Sequence, residues 1–481
     1  MSVSLTAQQA AQLLDNICGV NCLVIGDVML DRFVDGKVER ISPEAPVPIL
    51  SHSATATMPG GAANVARNIC HLGASCTLIG ITGTDEAGTA LVNSLAANAG
   101  LSFCPVQIVG RPTTTKTRFR SGMQQIMRLD DEVKTPLNDV EAAKLLEMAE
   151  AHIANASILI LSDYAKGCLT RSLIKSLITL AKNHDKTVII DPKSDDFSLY
   201  EGADLITPNL SELVRATGLQ DTCDEMIAET ANALSTRHQI AHILTTLSAR
   251  GMRLDGKNVA CHVPSLTKDV FDVSGAGDTV VAALACAHAS GTAFETAMIF
   301  ANQAASIVVS KPGTAAFCAG EFLASCDKIH AVESRLDNHQ DRLAQWRKDG
   351  LKIGFTNGCF DLLHAGHMHV LREAAKICDK LVIGVNANQS VTALKGPYRP
   401  IQPEKMRAFV LAHLPYCDGV IIFEDETPLA LIEAISPDVL IKGGDYQPSE
   451  IVGYDHVTKK GGNVLTIPLL EGHSTTAFLA Q

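Results

Sequence analysis

Aromatic side chains are scarce in this sequence, 4% of 481 residues with a single Trp. A chain so poor in aromatics, with much Ala, Val, Ile and Leu, suits helices packed on a parallel sheet. No two of its 14 cysteines stand as C-x-x-C; they are scattered singly from Cys18 to Cys417. Neither a zinc site nor a disulfide framework is suggested, and reduced core or surface thiols are expected. No apolar run approaches the ~18 residues that span a bilayer, and no charged N-terminal region precedes an apolar one. A cytoplasmic protein with no membrane partner is the expectation. Basic charge is in deficit, 40 Lys and Arg against 52 Asp and Glu, for a net charge of −12. Nucleic acid is therefore not an expected partner, although a local phosphate pocket stays open.

What is present is a globular composition, 46% hydrophobic and 19% charged, able to bury a large core. The length is about three times that of a typical ~150-residue domain, so two or three domains are the starting point. From Cys22 onward, β-branched runs alternate with Ala-rich amphipathic stretches: Cys22 to Gly26, Ile158 to Asp163, Thr187 to Pro192, Asp204 to Asn209 and His242 to Thr246. Such alternation predicts β-α-β units. In doubly wound sheets ligands bind at the carboxyl ends of the strands, which puts Asp27, Asp163, Asp191, Asn209 and Thr246 where a site would lie. Two stretches rich in Pro, Thr, Arg and Lys, Val38 to His52 and Thr113 to Asp130, read as a separate small sheet, a lid. A polar stretch, Asp327 to His339, marks the boundary: residues 1–330 form one domain, 331–338 a linker and 339–481 a second. In the latter, strand signals recur from Lys352, at Lys380 to Asn386, Gly419 to Phe423, Val439 to Gly444 and Asn463 to Pro468.

The most informative stretch of the first half is FDVSGAGDTVVAAL, Phe271 to Leu284. Gly275 and Gly277 allow a tight turn, and the free N–H groups of Gly275, Ala276 and Gly277 at a helix start form an anion hole. Asp278 is then placed to take the proton of an attacking hydroxyl. Alone, the segment also fits a plain helix entry with an Asp cap. It is accompanied by GDVMLD (Gly26 to Asp31), PGGAANVARN (Pro59 to Asn68), DPK (Asp191 to Lys193) and TPNLSE (Thr207 to Glu212), in that order. Together these resemble the ribokinase-like (PfkB) carbohydrate kinases over residues 20 to 330. The resemblance implies a ribokinase-like doubly wound sheet with a small β lid. It implies that Asp31 and Asn64 bind sugar hydroxyls, that Gly60 and Gly61 hinge the lid, and that Asp278 is the base. It also implies that Asn209, Leu210, Ser211 and Glu212 form an N-x-x-E element. Glu212 would organise Mg²⁺ through water, Lys193 would lie near the ATP phosphates, and Thr246, Ser248 and Gly251 would lie near the nucleotide. Ser274 stands where this subgroup often carries Thr.

The second half opens with GFTNGCFDLLHAGHMHVLREA, Gly354 to Ala374. Two imidazoles three residues apart at a helix start, His364 and His367, project side by side, and Gly366 between them lets a nucleotide approach the backbone. Their donors can stabilise charge growing on an α-phosphate. The competing reading, a metal site made with His369, lacks a carboxylate or Cys at ligand spacing. The H-x-G-H tetrad, with Thr356, Asn357, Gly358, Phe360 and Asp361 before it, resembles the cytidylyltransferase-like nucleotidyltransferases. That resemblance implies a Rossmann-like α/β domain, with Lys395, Arg399, Ser474, Thr475 and Thr476 on the triphosphate. His473 departs from the family's usual Ile.

The order of the two halves, with RISPEAPVP (Arg40 to Pro48), LSDYAKG (Leu161 to Gly167) and KGGDY (Lys442 to Tyr446), resembles the family of bifunctional heptose phosphate kinases and adenylyltransferases. The resemblance implies ATP, heptose 7-phosphate and heptose 1-phosphate as substrates, Mg²⁺ as cofactor, and a homodimer, since lid strands of related kinases often pair between subunits. Arg40, Lys116, Arg118 and Arg120 are the candidate cations for the 7-phosphate. The nearest alternative is the same pair of reactions on another sugar phosphate, or with CTP in the second step. From a different class, the C-terminal half could be a degenerate binding module.

Overall fold

The structure, a computed structural model, describes residues 5–122, 124–257, 259–266, 275–310, 317, 319–330 and 339–468. The chain forms two compact units, Met1–Leu323 and Ala324–Gln481. The division falls within the helix Ala319–His330, and the expected linker 331–338 lies outside the described residues.

The first unit is built on a nine-stranded sheet. From one edge its strands are Val259–Val263, Met252–Gly256, His242–Thr246, Leu205–Ile206, Thr187–Asp191, Ile158–Ser162, Asn21–Gly26, Ser75–Thr82 and Leu101–Gln107. The seven from His242–Thr246 to Leu101–Gln107 run parallel, and the other two turn back antiparallel at the edge. Central strands are covered on both faces, so Ile158–Ser162 is buried at every position and reads as an unbroken apolar run. Helices enter on side-chain caps at Asp85, Asn138, Thr170 and Asn209, each accepting from a backbone N–H in the first turn, as orphan amides at a helix start require.

The lid is a four-stranded sheet in the order Pro48–Gly61, Val28–Ile41, Thr115–Ser121 and Gln124–Asp131. It is larger than the sequence suggested, because Val28–Ile41 starts directly after Asp27 and Pro48–Gly61 runs through Gly60 and Gly61. Neither strand alternates cleanly, since Pro48–Gly61 is exposed along most of its length and so lacks the apolar face that marks a strand in sequence. Arg118 and Arg120 lie over the Phe33 ring, at 5.3 and 4.5 Å from its centroid.

The second unit is a five-stranded parallel sheet in the order Gly419–Phe423, Lys380–Asn386, Ile353–Gly358, Val439–Gly443 and Asn463–Ile467. Alternate residues of one strand feed opposite layers. Leu381, Ile383 and Val385 pack with the helices Ala365–Ala375 and Glu404–Ala412, while Val382 joins Phe355, Trp346 and Ile432 on the other face. Among the described residues no helix is long and apolar enough to cross a membrane.

Candidate active sites

In the first unit a cavity of about 400 Å³ opens at the carboxyl ends of the parallel strands, beneath the lid. Asp31, Gly61, Lys193, Asn209, Glu212, Thr246, Gly275, Gly277 and Asp278 line it together, although the sequence spreads them over more than two hundred residues. Gly275 caps the helix Ala276–Ala289 in a left-handed conformation, φ 79°, which a Cβ would disfavour. Ala276 follows in the first turn but is not part of the wall.

Asp278 is 7% exposed. Asn64 Nδ2 donates to its Oδ2 at 2.6 Å, and the Tyr164 hydroxyl donates to its Oδ1. Burial pushes its carboxyl up to about 6, against the downward pull of those two hydrogen bonds. A base whose pKa lies just below neutrality is ionised at working pH yet still basic enough to take a proton. Asn64 also accepts from Arg67 at 2.8 Å through Oδ1, so both ends of its amide are engaged. Asp31 is held by Arg118 at 2.5 Å. A Cβ on Gly60 would lie 2.4 Å from Asp31 Oδ2, and one on Gly61, at φ +58°, would lie 2.5 Å from the Asp27 carbonyl. Both positions are glycine because nothing larger fits.

The N-x-x-E element is a capping box. Asn209 Oδ1 accepts from the Glu212 amide and Glu212 Oε2 from the Asn209 amide, each at 2.9 Å. This reciprocal cap fixes the start of helix Leu210–Thr217, with Ser211 Oγ bonded to Asn209 at 2.6 Å. The other Glu212 oxygen takes Lys193 Nζ at 2.7 Å. Thr246 sits beside Asn209 through an isolated parallel bridge, whereas Ser248 and Gly251 shape the tight turn beyond it and do not reach the cavity wall. Asp191, on the cavity wall, is pushed well up by desolvation and by Asp278 and Glu212 nearby. The oxygen-rich wall of Glu212, Asp191, Asn209 and Thr246 fits a hard divalent cation. Among the described residues no group of three or more His, Cys, Asp or Glu stands ready to hold a metal directly.

Of the four expected cations, Lys116 and Arg118 line the cavity, Arg120 pairs with Asp35 at 2.8 Å, and Arg40 stays exposed. Sequence reasoning missed Arg128 and Lys166 on the same wall, and Tyr164 on Asp278. The LSDYAKG motif contained both Tyr164 and Lys166, but nothing in their spacing tells which way a loop side chain turns.

In the second unit the strand Ile353–Gly358 delivers Thr356, Asn357 and Gly358 to the sheet end, where Phe360 turns the chain at φ +45°. His364 caps the helix Ala365–Ala375, with Gly366 buried in its first turn. The rings of His364 and His367 lie 3.9 Å apart, and Phe360 lies 5.3 Å from His367. Burial first, then His364 and Lys395, push the His367 imidazole down to about 4, so it is neutral at neutral pH and carries one N–H able to donate. Asp361, 2% exposed, accepts from the amides of Ile401 and Gln402 at 2.7 and 3.0 Å and pairs with Arg399 at 2.5 Å. These contacts tie it to the loop carrying Arg399. Two residues went unread. Arg407, 1% exposed, donates to the carbonyls of Cys359, Asn386 and Gln402, and Lys442 donates to Asn357 Oδ1 at 3.0 Å. Ser474, Thr475 and Thr476 lie outside the described residues, as does His473.

Comparison with known proteins agrees with this division. Residues 21–319 match the pfkB family of carbohydrate kinases and residues 355–477 the cytidylyltransferase-like family. The chain is 45% identical to "Bifunctional protein HldE" of Azorhizobium caulinodans, over 95% of its own length and 97% of that protein. It is also 45% identical to the protein of the same name in Gluconacetobacter diazotrophicus, over 96% and 97%. The Arabidopsis thaliana ribokinase complexed with ribose and ATP shares the fold of the first unit, with a TM-score of 0.52 at 22% identity, over 64% of this chain and 98% of that one.

Proposed function

The chain belongs to the HldE family of bifunctional proteins and, through residues 21–319, to the pfkB family of carbohydrate kinases, and from that premise we propose two reactions. The first unit phosphorylates D-glycero-D-manno-heptose 7-phosphate at O1 with ATP, and the second transfers AMP from ATP to heptose 1-phosphate. The chain is thus a carbohydrate kinase and an adenylyltransferase, and each activity uses ATP. The products are the 1,7-bisphosphate and, after a separate phosphatase has removed the 7-phosphate, ADP-heptose and pyrophosphate. ADP-heptose is the activated sugar of the lipopolysaccharide inner core. The protein works in the cytoplasm, as a homodimer.

The observation that carries the kinase reading is Asp278, held by Tyr164 and Asn64 at the start of a glycine-led helix that faces the cavity. Asp278 takes the O1 proton as that oxygen attacks the γ-phosphorus, and ADP leaves. The helix-start amides receive the charge on the transferring oxygens. Glu212 would hold Mg²⁺ through water. When bound, the ion neutralises phosphate charge.

In the second unit a phosphate oxygen of the sugar 1-phosphate is already ionised, so its attack on the α-phosphorus of ATP needs no base. His364 and His367 donate to the oxygens on which charge grows, Lys395 faces the phosphates, and pyrophosphate leaves. Mass spectrometry of the products from heptose 7-phosphate and ATP, with and without an added phosphatase, tests the whole scheme. The expected masses are heptose bisphosphate without phosphatase and ADP-heptose with it. A second product formed only with CTP, or no product from this sugar, would overturn it.

A further inference from the structure

Tyr164 is a half-buried phenol on the cavity wall, and the scheme above gives its hydroxyl no chemical role. The chain spends several hydrogen bonds on placing it. Asp27, at the end of the strand Asn21–Gly26, accepts from the amides of Tyr164, Lys166 and Cys168 at 2.9, 3.0 and 3.0 Å. Asp163 accepts from the Ala165 amide at 2.8 Å and from the Tyr200 hydroxyl at 2.6 Å. These two carboxylates hold the turn in which Ala165 takes φ +54°. The carbonyl of the same Asp27 receives the Ala62 amide at 3.0 Å, at the first residue of the hinge helix. The Tyr164 ring lies beside Gly61, 3.5 Å from where a Cβ would stand. Its hydroxyl reaches Asp278 Oδ1. One side chain thus touches both the lid hinge and the base.

We propose that Tyr164 is a positioning residue for the kinase step: its hydroxyl aims the Asp278 carboxylate at the sugar hydroxyl and keeps that carboxylate ionised inside a buried site. A donor to the charged form favours it over the acid, and Tyr164 can only donate here, because burial and the neighbouring carboxylates keep its proton in place. Oδ1 bonded to Tyr164 and Oδ2 bonded to Asn64 fix the rotation of the carboxylate. The other charged groups around it are Asp31 on the lid strand, Arg67 on the hinge helix and Asp191 at a neighbouring strand end, with Lys193, Arg118 and Lys116 on the same cavity wall. None of them donates a hydrogen bond to either Asp278 oxygen, so Tyr164 and Asn64 share the task.

The inference rests on Asp278 being the base, and the two are separable. Tyr164→Phe removes one oxygen and keeps the ring against Gly61. In the full-length protein, with heptose 7-phosphate and ATP, the acid limb of the kinase kcat/KM profile should move up by on the order of one pH unit. The rate should recover on the alkaline side. A 3-fluorotyrosine installed at 164, a stronger donor of nearly the same size, should move the limb down. Limbs that overlay the wild type in both variants, or a loss in Tyr164→Phe that is equal at every pH, would overturn the role. If Asp278→Asn kept its activity, the base assignment itself would fall instead.

Discussion

Asn64 and Asp278, 214 residues apart in sequence, meet through a 2.6 Å hydrogen bond from Nδ2 to Oδ2. It joins the helix Ala62–His71 to the helix Ala276–Ala289, and the bond from Asn68 Nδ2 to Thr279 Oγ1 at 3.3 Å joins the same pair. Asp278→Asn keeps the size of the side chain and removes the basic oxygen. The kinase rate should fall ~10²- to 10⁴-fold, the usual contribution of a general base, while adenylyl transfer in the same protein is unchanged. Coupled assays for ADP and for pyrophosphate read the two activities separately.

The pH dependence follows from the same carboxyl. Its pKa is raised to about 6, and only the ionised form accepts a proton. Kinase kcat/KM should therefore be full above that value and fall tenfold per unit below it. The adenylyltransferase should show no such limb near 6 from His367, whose titration is pushed down to about 4. Profiles measured on one preparation compare the two directly.

Much of this was legible in the sequence because strand-end residues and glycines carry local signals. The strands His242–Thr246, Lys380–Asn386 and Gly419–Phe423 fall where apolar runs put them. The strands Ser75–Thr82 and Leu101–Gln107 were not read, and the lid was under-read because an exposed sheet has no apolar face to betray it. At the site, residue type and motif order brought Asp31, Lys193, Glu212 and Asp278 to one cavity. Pairing was legible only where it is local. N-x-x-E is itself the pattern of a capping box, so the reciprocal cap of Asn209 and Glu212 could have been read from it. Nothing in the spacing of Asp361 and Arg399 says that they pair. That contact depends on tertiary packing, as does the turn that brings Tyr164 to Asp278.

Gly61→Ala tests the hinge. A methyl there meets the Asp27 carbonyl at 2.5 Å and the Met29 side chain at 2.8 Å, on a backbone at φ +58°. With ψ −136° beside that positive φ, the backbone lies in a region sparsely populated by residues with a Cβ, which costs about 1–3 kcal/mol, and the clash adds to it. Kinase activity should drop at least tenfold and the melting temperature of the first unit should fall by a few degrees. Calorimetry and the ADP assay read the two effects, and wild-type values in both would remove the hinge role.

Metal removal should stop both reactions, because ATP phosphates must be neutralised as charge shifts between them. Titrating EDTA into each assay and restoring activity with MgCl₂ measures this. Kinase activity surviving chelation would contradict the assignment of Glu212 to a hydrated Mg²⁺, and adenylyl transfer surviving it would remove the metal from the second reaction.

The independence of the two units is tested by cutting the chain between residues 330 and 339. The cut is placed after the helix Ala319–His330 because the Phe322 ring packs edge-on against Phe300 at 4.9 Å and tilted against Phe317 at 5.4 Å, so losing that helix would open the core of the first unit. The second unit has its own two layers around Val382 and Ile383, and boundaries are cheapest where cores close on themselves. Residues 1–330 should phosphorylate heptose 7-phosphate alone. Residues 339–481 hold the paired imidazoles and should make ADP-heptose and pyrophosphate without the other half. In that fragment His364→Ala or His367→Ala should cost on the order of 10²-fold or more. The loss should fall on kcat, since a donor that strengthens only as charge develops adds little to ground-state binding. Two folded fragments by circular dichroism that are each inactive, yet regain activity when mixed, would show that the sites are completed across the chain.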